Sequence, residues 1–540
     1  MAKPDHTAVL RNQHVVVVGA GIGGLVCAML LAHGGVRVTL VESAAAPGGK
    51  MRQIMVGGLP IDSGPTVFTM RWVFEQIFAL VGSRLSDCVA LEPLDILARH
   101  AWRTSEHRLD LFTDVARSKD AIARFSSPAE AQRFEVFCQK AKDIYKHLEG
   151  PYIRSSRPTL LGMGADLGPG GLAALAGLGP FATLWQSLGN YFHDPRLRQL
   201  FGRYATYCGA SPWAAPATLM LIAHVELDGV WSVRGGMHAL AKAVAAQAET
   251  HGATLRYATP CQRVLVKDGK ACGVELAGGE QVLADAVVFN GDASALAQGL
   301  LGDGSKKAAP LTPFDKRSLS AITWSVNSRV IDFPLVRHNV FFDDDYKREF
   351  HEIFTQHRLP SRGTVYVCAQ DRADTQVGPG ATKIEHNERL FCLVNAPAVG
   401  DMAGSHSITD PEIESCQEQT SKLLGQCGLA LDLSAETAQV IRTTPNEFNQ
   451  LFPGTGGALY GRASHGWIAP FQRPGSASKL PGLYLAGGSV HPGPGVPMAA
   501  LSGQLAAVTV MAHLASTKPL GRVRIFGGMS TASVTTASTR

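Results

Sequence analysis

A glycine-spaced turn, Gly19-Ala-Gly21-Ile-Gly-Gly24, follows the apolar run His14-Val-Val-Val-Val18, and Glu42 closes the next one, Arg37-Val-Thr-Leu-Val-Glu42. These residue types at this spacing suit dinucleotide binding. Gly19 permits a tight turn, Gly21 lets the backbone approach a pyrophosphate, and Gly24 allows the following helix to pack on the strand. The helix N-terminus turns its free N–H groups and positive dipole end toward the same phosphates. Glu42 offers a carboxylate to ribose hydroxyls. The elements needed to position these groups are a strand, a helix and a second parallel strand.

More glycine-rich turns follow. Pro47-Gly-Gly-Lys50-Met-Arg52 puts two cations beside a turn that can close on a pyrophosphate from its other side, and Gly64-Pro-Thr66 suits backbone running close to a flat ring. Far down the chain, Pro481-Gly-Leu-Tyr-Leu-Ala-Gly-Gly488-Ser-Val-His491 ends a strand in glycines again, and an Ala-rich helix is predicted from Ala499 to about Ser516. A nicotinamide dehydrogenase has no need of so distant a closing element. A flavoprotein does, around the ribityl and pyrimidine edge of its flavin.

Between these pieces, a helix is predicted over 239–251, strands over 253–257 and 262–266, an Asp268-Gly269 hairpin, and a buried strand within Ala286-Val-Val-Phe-Asn-Gly-Asp292. The fold class expected is α/β, with a Rossmann-type FAD-binding domain in three pieces, 1–75, 230–300 and 475–518. A mixed α+β substrate domain interleaves with it as 76–229 and 301–474. A flexible tail is expected over 519–540.

At 540 residues the chain exceeds one typical core. Its 45% hydrophobic and 18% charged content describes a folded, rather apolar protein. A net charge of +5 without a long basic run gives no support for nucleic-acid binding. Ten scattered cysteines form no CxxC pair and have no histidine at metal-ligand spacing, so no metal site is expected and the thiols are read as reduced. The N-terminus lacks the pattern of a signal peptide. No uninterrupted apolar stretch is read as long enough to span a membrane. The nearest, 159–188, is read as core or tunnel wall, as is Leu219-Met-Leu-Ile222.

Together these pieces resemble the phytoene desaturase family of FAD-dependent carotenoid desaturases and isomerases over nearly the full length. The carriers are the Gly19–Gly24 turn with Glu42, Pro47-Gly-Gly-Lys50, Asp62-Ser-Gly-Pro-Thr66, Gly235-Gly-Met237, Gly456-Gly-Ala-Leu-Tyr-Gly461 and, most specifically, Gly482-Leu-Tyr-Leu-Ala-Gly-Gly-Ser-Val-His-Pro-Gly493. Within the family, Gly64 to Trp72, Phe201-Gly-Arg-Tyr-Ala-Thr-Tyr-Cys-Gly209 and His224-Val-Glu-Leu-Asp228-Gly-Val-Trp231 look most like the bacterial 1-hydroxycarotenoid 3,4-desaturases.

The resemblance implies that Gly19, Gly21, Gly24 and Glu42 hold the ADP half of FAD. Lys50 stands where the family usually has Arg, with Arg52 beside it. Cys261 falls where backbone contacts adenine, and Asp292 on the second glycine-bearing strand end. Thr66, Val67, Gly488, Ser489, Val496, Pro497 and Met498 would lie around the flavin, although Ser489 replaces a residue that is often acidic or Thr.

The implied reaction is desaturation at C3–C4 of a 1-hydroxy or 1-methoxy neurosporene-type carotenoid. Hydride transfer to flavin is expected, because no acidifying group adjoins the reacting carbons and the polyene can spread the positive charge. The protein's part is to hold the C–H about 3–3.5 Å from the acceptor. His491 is the catalytic candidate as proton acceptor, with Glu226, Asp228 and Arg234 behind it. Other readings are a phytoene-type desaturase or carotene isomerase, a flavin amine oxidase on the same scaffold, and a lipid escort protein without chemistry. Cytoplasmic localisation is expected, peripheral on the inner (photosynthetic) membrane, with oxygen or a quinone as electron acceptor.

Overall fold

The computed structural model describes residues 10, 12–155, 182–330, 332–372, 387–404, 407–434 and 439–516. Most of the 159–188 stretch and the whole tail from 519 lie outside them.

The first unit is β1 (His14–Val18), α1 (Ile22–His33) and β2 (Arg37–Val41). Every residue of β1 is buried, as a central parallel strand with both faces covered requires. The parallel sheet runs in the order 483–485, 286–289, β1, β2, 254–256, so three distant stretches of chain share one sheet. Both neighbours of β1 follow it in the chain, β2 and then 254–256 on one side, 286–289 and then 483–485 on the other, so the order of strands reverses at β1. The glycine turn therefore sits at a topological switch point, where open α/β sheets take their ligands.

On one face lie α1, the helix Met237–Thr250 and the helix Val496–Leu514. The last has 19 residues, contains no Asp, Glu, Lys or Arg, and is long and apolar enough by length and composition to cross a membrane, contrary to the expectation that no stretch qualifies. It is a core helix here, 72% buried over its most apolar window. On the other face, an antiparallel sheet of 261–267, 270–276 and 281–283 turns at Asp268 and Gly269, both at positive φ, the backbone a two-residue hairpin requires.

The two long inserts meet in a seven-stranded mixed sheet, ordered 440–443, 320–328, 388–396, 365–369, 338–342, 96–102, 105–112. Its 96–112 hairpin comes from the first insert and the remaining strands from the second. The expected boundary at residue 75 falls inside the helix Arg71–Leu80, whose buried Val73, Phe74, Ile77 and Phe78 join the core of the parallel-sheet unit. At the second expected boundary, Trp231–Val233 pairs with Leu91–Pro93 of the first insert. Asp62 ties the units together through its backbone, which exchanges two hydrogen bonds with the Gln370 side chain, while its carboxylate accepts from the N–H of Met237 and from Gln53. Burial raises its pKa against the pull of those donors.

Candidate active site

One cavity of about 1240 Å³ runs between the two sheets. Typical small-molecule sites span roughly 300–1,000 Å³, so the space exceeds what one ligand of ordinary size needs. One end is lined by Gly19, Gly21, Glu42, Cys261 and Asp292; the other by apolar residues including Leu148, Ile153, Leu219, Ile222 and Phe471. Gly488, Ser489, Val496, Pro497 and Met498 line it as well, together with Thr66 and Val67. Of the expected cofactor residues, Gly24 alone stays off the wall.

Gly24 acts from beneath. A Cβ there would stand 2.1 Å from the carbonyl oxygen of Gly19 and 3.0 Å from Cβ of Asn290, so α1 reaches the strand ends only without one. Asn290 also donates from Nδ2 to the Gly19 carbonyl at 3.3 Å, and a Cβ on Gly21 would meet that Nδ2 at 2.7 Å. Asn290 is thus the floor of the glycine turn, a residue the sequence reading quoted but did not single out.

Glu42 is buried, its Oε2 accepting from the N–H of Ala20 at 2.6 Å and its Oε1 from the N–H of Ala44 at 2.8 Å and Ser43 Oγ at 3.1 Å. Two carboxylate oxygens carry about four acceptor sites, so one remains for a hydroxyl in the cavity. The second glycine turn closes on the first: Gly48 donates to the Ala20 carbonyl at 2.8 Å and bridges Gly21.

The two cations beside that turn reach elsewhere than expected. Lys50 Nζ donates to the Leu459 carbonyl at 2.5 Å and lies 5.3 Å from the Phe452 ring. Burial lowers its pKa; Asp292 opposes that and Arg473 adds to it. Arg52 donates to Thr443 Oγ1 at 3.0 Å and lies over Phe448. Both line the cavity but fasten its second-insert wall to the glycine turns.

At the other glycine-bearing strand ends, Asp292 Oδ1 accepts from the N–H of Ser294, and Ser489 Oγ from that of Ala293. The buried Arg473, on the cavity wall, donates to the carbonyls of Tyr460, Gly488 and Arg462.

His491 does not line the cavity. It is 1% exposed, its Nε2 lies 3.0 Å from the Tyr152 carbonyl oxygen, and its ring stands edge-on to that of Tyr152. Burial depresses its pKa to about 4, with the backbones of Ser155 and Tyr152 pulling the other way. The placement is that of a post behind Tyr152, which does line the cavity, and gives no support to a proton acceptor facing substrate. Asp228 is exposed and Arg234 pairs with Glu92 at the surface. Glu226, by contrast, lines the apolar end.

The sequence reading missed the side chains around Glu226. Tyr204 and Tyr207 donate to its two oxygens at 2.6 and 2.7 Å, and Arg203 Nη1 donates to Tyr207 Oη at 3.3 Å. Burial raises the Glu226 pKa against those donors. The one available signal was that these residues fall in the two stretches 201–209 and 224–231 that carry the narrower resemblance.

The turns form a cradle for a dinucleotide: backbone without side chains at Gly21 and Gly49, a carboxylate with a spare acceptor site, and a long apolar continuation. The chain belongs to the flavin-containing amine oxidoreductase family, whose model matches residues 22–511, and it is an FAD-dependent oxidoreductase. It is 61% identical to the hydroxyneurosporene desaturase of Rubrivivax gelatinosus, over 99% of each chain. It is 44% identical to the hydroxyneurosporene desaturase of Cereibacter sphaeroides (strain ATCC 17023), over 93% of this chain and 98% of that one. Among solved structures, an oxidoreductase from Methanosarcina mazei superposes with a TM-score of 0.58 at 15% identity, covering 92% of this chain and all of that one, which shows the shared fold.

Proposed function

We propose that the chain is an FAD-dependent carotenoid desaturase, introducing the C3–C4 double bond of a hydroxyneurosporene-type polyene. The observation that carries this reading is that the two glycine turns and the apolar wall belong to one continuous cavity. The relatives named for this activity, matched from end to end, point the same way.

Bound FAD would supply the hydride acceptor, taking one proton with two electrons, and the remaining proton would leave to solvent water. The chain's own part is to hold and orient. Glu42 offers its spare acceptor site to the ribose, Gly21 and Gly49 leave room for phosphates, and Thr66 with Val496 to Met498 frames the flavin. The apolar walls exclude water and hold the polyene against that frame. Each buried methylene gains about 0.8 kcal/mol, so a long polyene leaves a bilayer only for a comparably apolar space. Delivery from a membrane is supported on that ground; we place the protein in the cytoplasm, peripherally bound to the inner membrane, with oxygen or a membrane quinone removing the electrons.

Expression in cells that accumulate neurosporene or its 1-hydroxy derivative, followed by pigment analysis, tests the proposal. A new 3,4 double bond on the hydroxylated pigment supports it. Unchanged pigments, with flavin-loaded protein present, overturn it.

A further inference from the structure

Among the described residues, the apolar end of the cavity carries a strongly polar patch. Arg203, Tyr207 and Glu226 all line it, while Tyr204 supports Glu226 from behind. The guanidinium lies between two rings, 5.3 Å from the centroid of Tyr207 and 5.4 Å from that of Tyr366. Its hydrogen bond to Tyr207 Oη uses one of five N–H groups. Tyr207 Oη accepts that bond and donates to Glu226, which leaves one acceptor site on its oxygen. The cavity surface here thus offers charged donors and a phenolic acceptor side by side.

Stability alone accounts poorly for such a patch. Buried charges are costly to desolvate, and buried charged clusters are often replaced by well-packed apolar residues at no cost. An alcohol is the complementary guest: its oxygen accepts from Arg203 and its O–H donates to Tyr207 Oη.

The patch is also at the right place along the cavity. Tyr366, whose ring adjoins Arg203, shares a 2.6 Å hydrogen bond with Thr66 of the turn framing the flavin. In a 1-hydroxy polyene, the carbon bearing oxygen is three C–C bonds from C4, roughly 4 Å. Its hydroxyl must therefore be received beside the reacting bond and not at the far end of the tunnel.

We infer that Arg203 and Tyr207, backed by Glu226, form the subsite that receives the hydroxyl of the polyene and so sets both the preference for hydroxylated substrate and the bond presented to the flavin. This rests on the carotenoid reading above. Its test uses the FAD-loaded full chain and two probes, 1-hydroxyneurosporene and neurosporene, each followed by anaerobic flavin bleaching and by quenching of tryptophan fluorescence on binding.

Wild-type protein is expected to favour the hydroxylated probe. Arg203→Met should cut that preference by about 10- to 100-fold, the range for losing a hydrogen bond to a charged group. Tyr207→Phe, which removes only an oxygen, should cut it several-fold, and Arg203→Lys should recover part of it. Tyr207→Phe decides the matter if Arg203→Met does not fold. Wild-type protein that treats the probes alike, or a Tyr207→Phe variant with undiminished preference in binding and bleaching, overturns the subsite and leaves the carotenoid reading standing. Failure of both probes to bind or bleach overturns the carotenoid reading itself.

Discussion

Gly503 lies directly on Gly23: a Cβ built on Gly503 would stand 2.1 Å from the Gly23 carbonyl oxygen. The helix Val496–Leu514 and α1 touch backbone to backbone at this point, and each begins at a glycine turn lining the cavity. The contact fixes the spacing of the two helix N-termini, and hence of the two ends of the cofactor cradle. Gly503→Ala should cost about 1–3 kcal/mol through overpacking. Thermal unfolding should show a Tm lower by about 1–3 °C, and gel filtration should show FAD lost on dilution.

Glu42 is predicted to anchor FAD. Glu42→Ala removes the spare acceptor site and strands the N–H groups of Ala20 and Ala44. Bonds to a charged acceptor contribute about 1.5–3 kcal/mol, so the Kd for FAD should rise roughly 10- to 100-fold. Glu42→Gln, keeping one oxygen, should fall between. Flavin fluorescence titration of apoprotein measures both.

His491→Ala should reveal support and not chemistry. The ring is enclosed behind Tyr152, so its loss should lower Tm through the missing contact to the Tyr152 carbonyl, at a cost of about 1–3 kcal/mol. The rate of flavin bleaching per bound flavin should stay within about twofold of wild type. A hundredfold slower rate at full flavin occupancy would return His491 to the mechanism.

The unit from His14 to Glu42 was legible because its signal is local: an apolar run, glycines at fixed offsets and a carboxylate after the next run. The closing strand and helix were legible for the same reason, though not the direction of His491, which packing against Tyr152 decides. The polar patch was not legible. Tyr204 and Glu226 are 22 positions apart, and Thr66 and Tyr366 are 300 apart, so no sequence periodicity links them. Lys50 and Arg52 were read from the adjacent turn, but their partners come from the second insert. The apolar length of Val496–Leu514 is hard to see in sequence because Pro497 and small or polar residues dilute it, while the fold makes it one buried helix.

Stability should fall in mild acid. Burial depresses the pKa of His100 and His465 to about 4 and that of His338 to about 3. Unfolded chain takes these protons near the ordinary value of 6.5, while the fold refuses them. Their contribution is therefore complete above pH 6.5 and is lost as pH falls toward 4, by about 1.4 kcal/mol per pH unit for each group. The buried carboxyls of Asp62, Glu226 and Glu349, raised by desolvation, act with the opposite sign. A histidine variant isolates its own term: His100→Gln should flatten the decline of Tm between pH 6.5 and 4.5 relative to wild type. Parallel curves would refute the assignment.

The central claim is that one cavity joins a held FAD to a polyene. Anaerobic mixing of the FAD-loaded protein with 1-hydroxyneurosporene tests it most directly. The visible absorbance of oxidised flavin should bleach in step with the appearance of a polyene lengthened by one double bond. Unchanged flavin absorbance, with the polyene shown by fluorescence quenching to be bound, would contradict it.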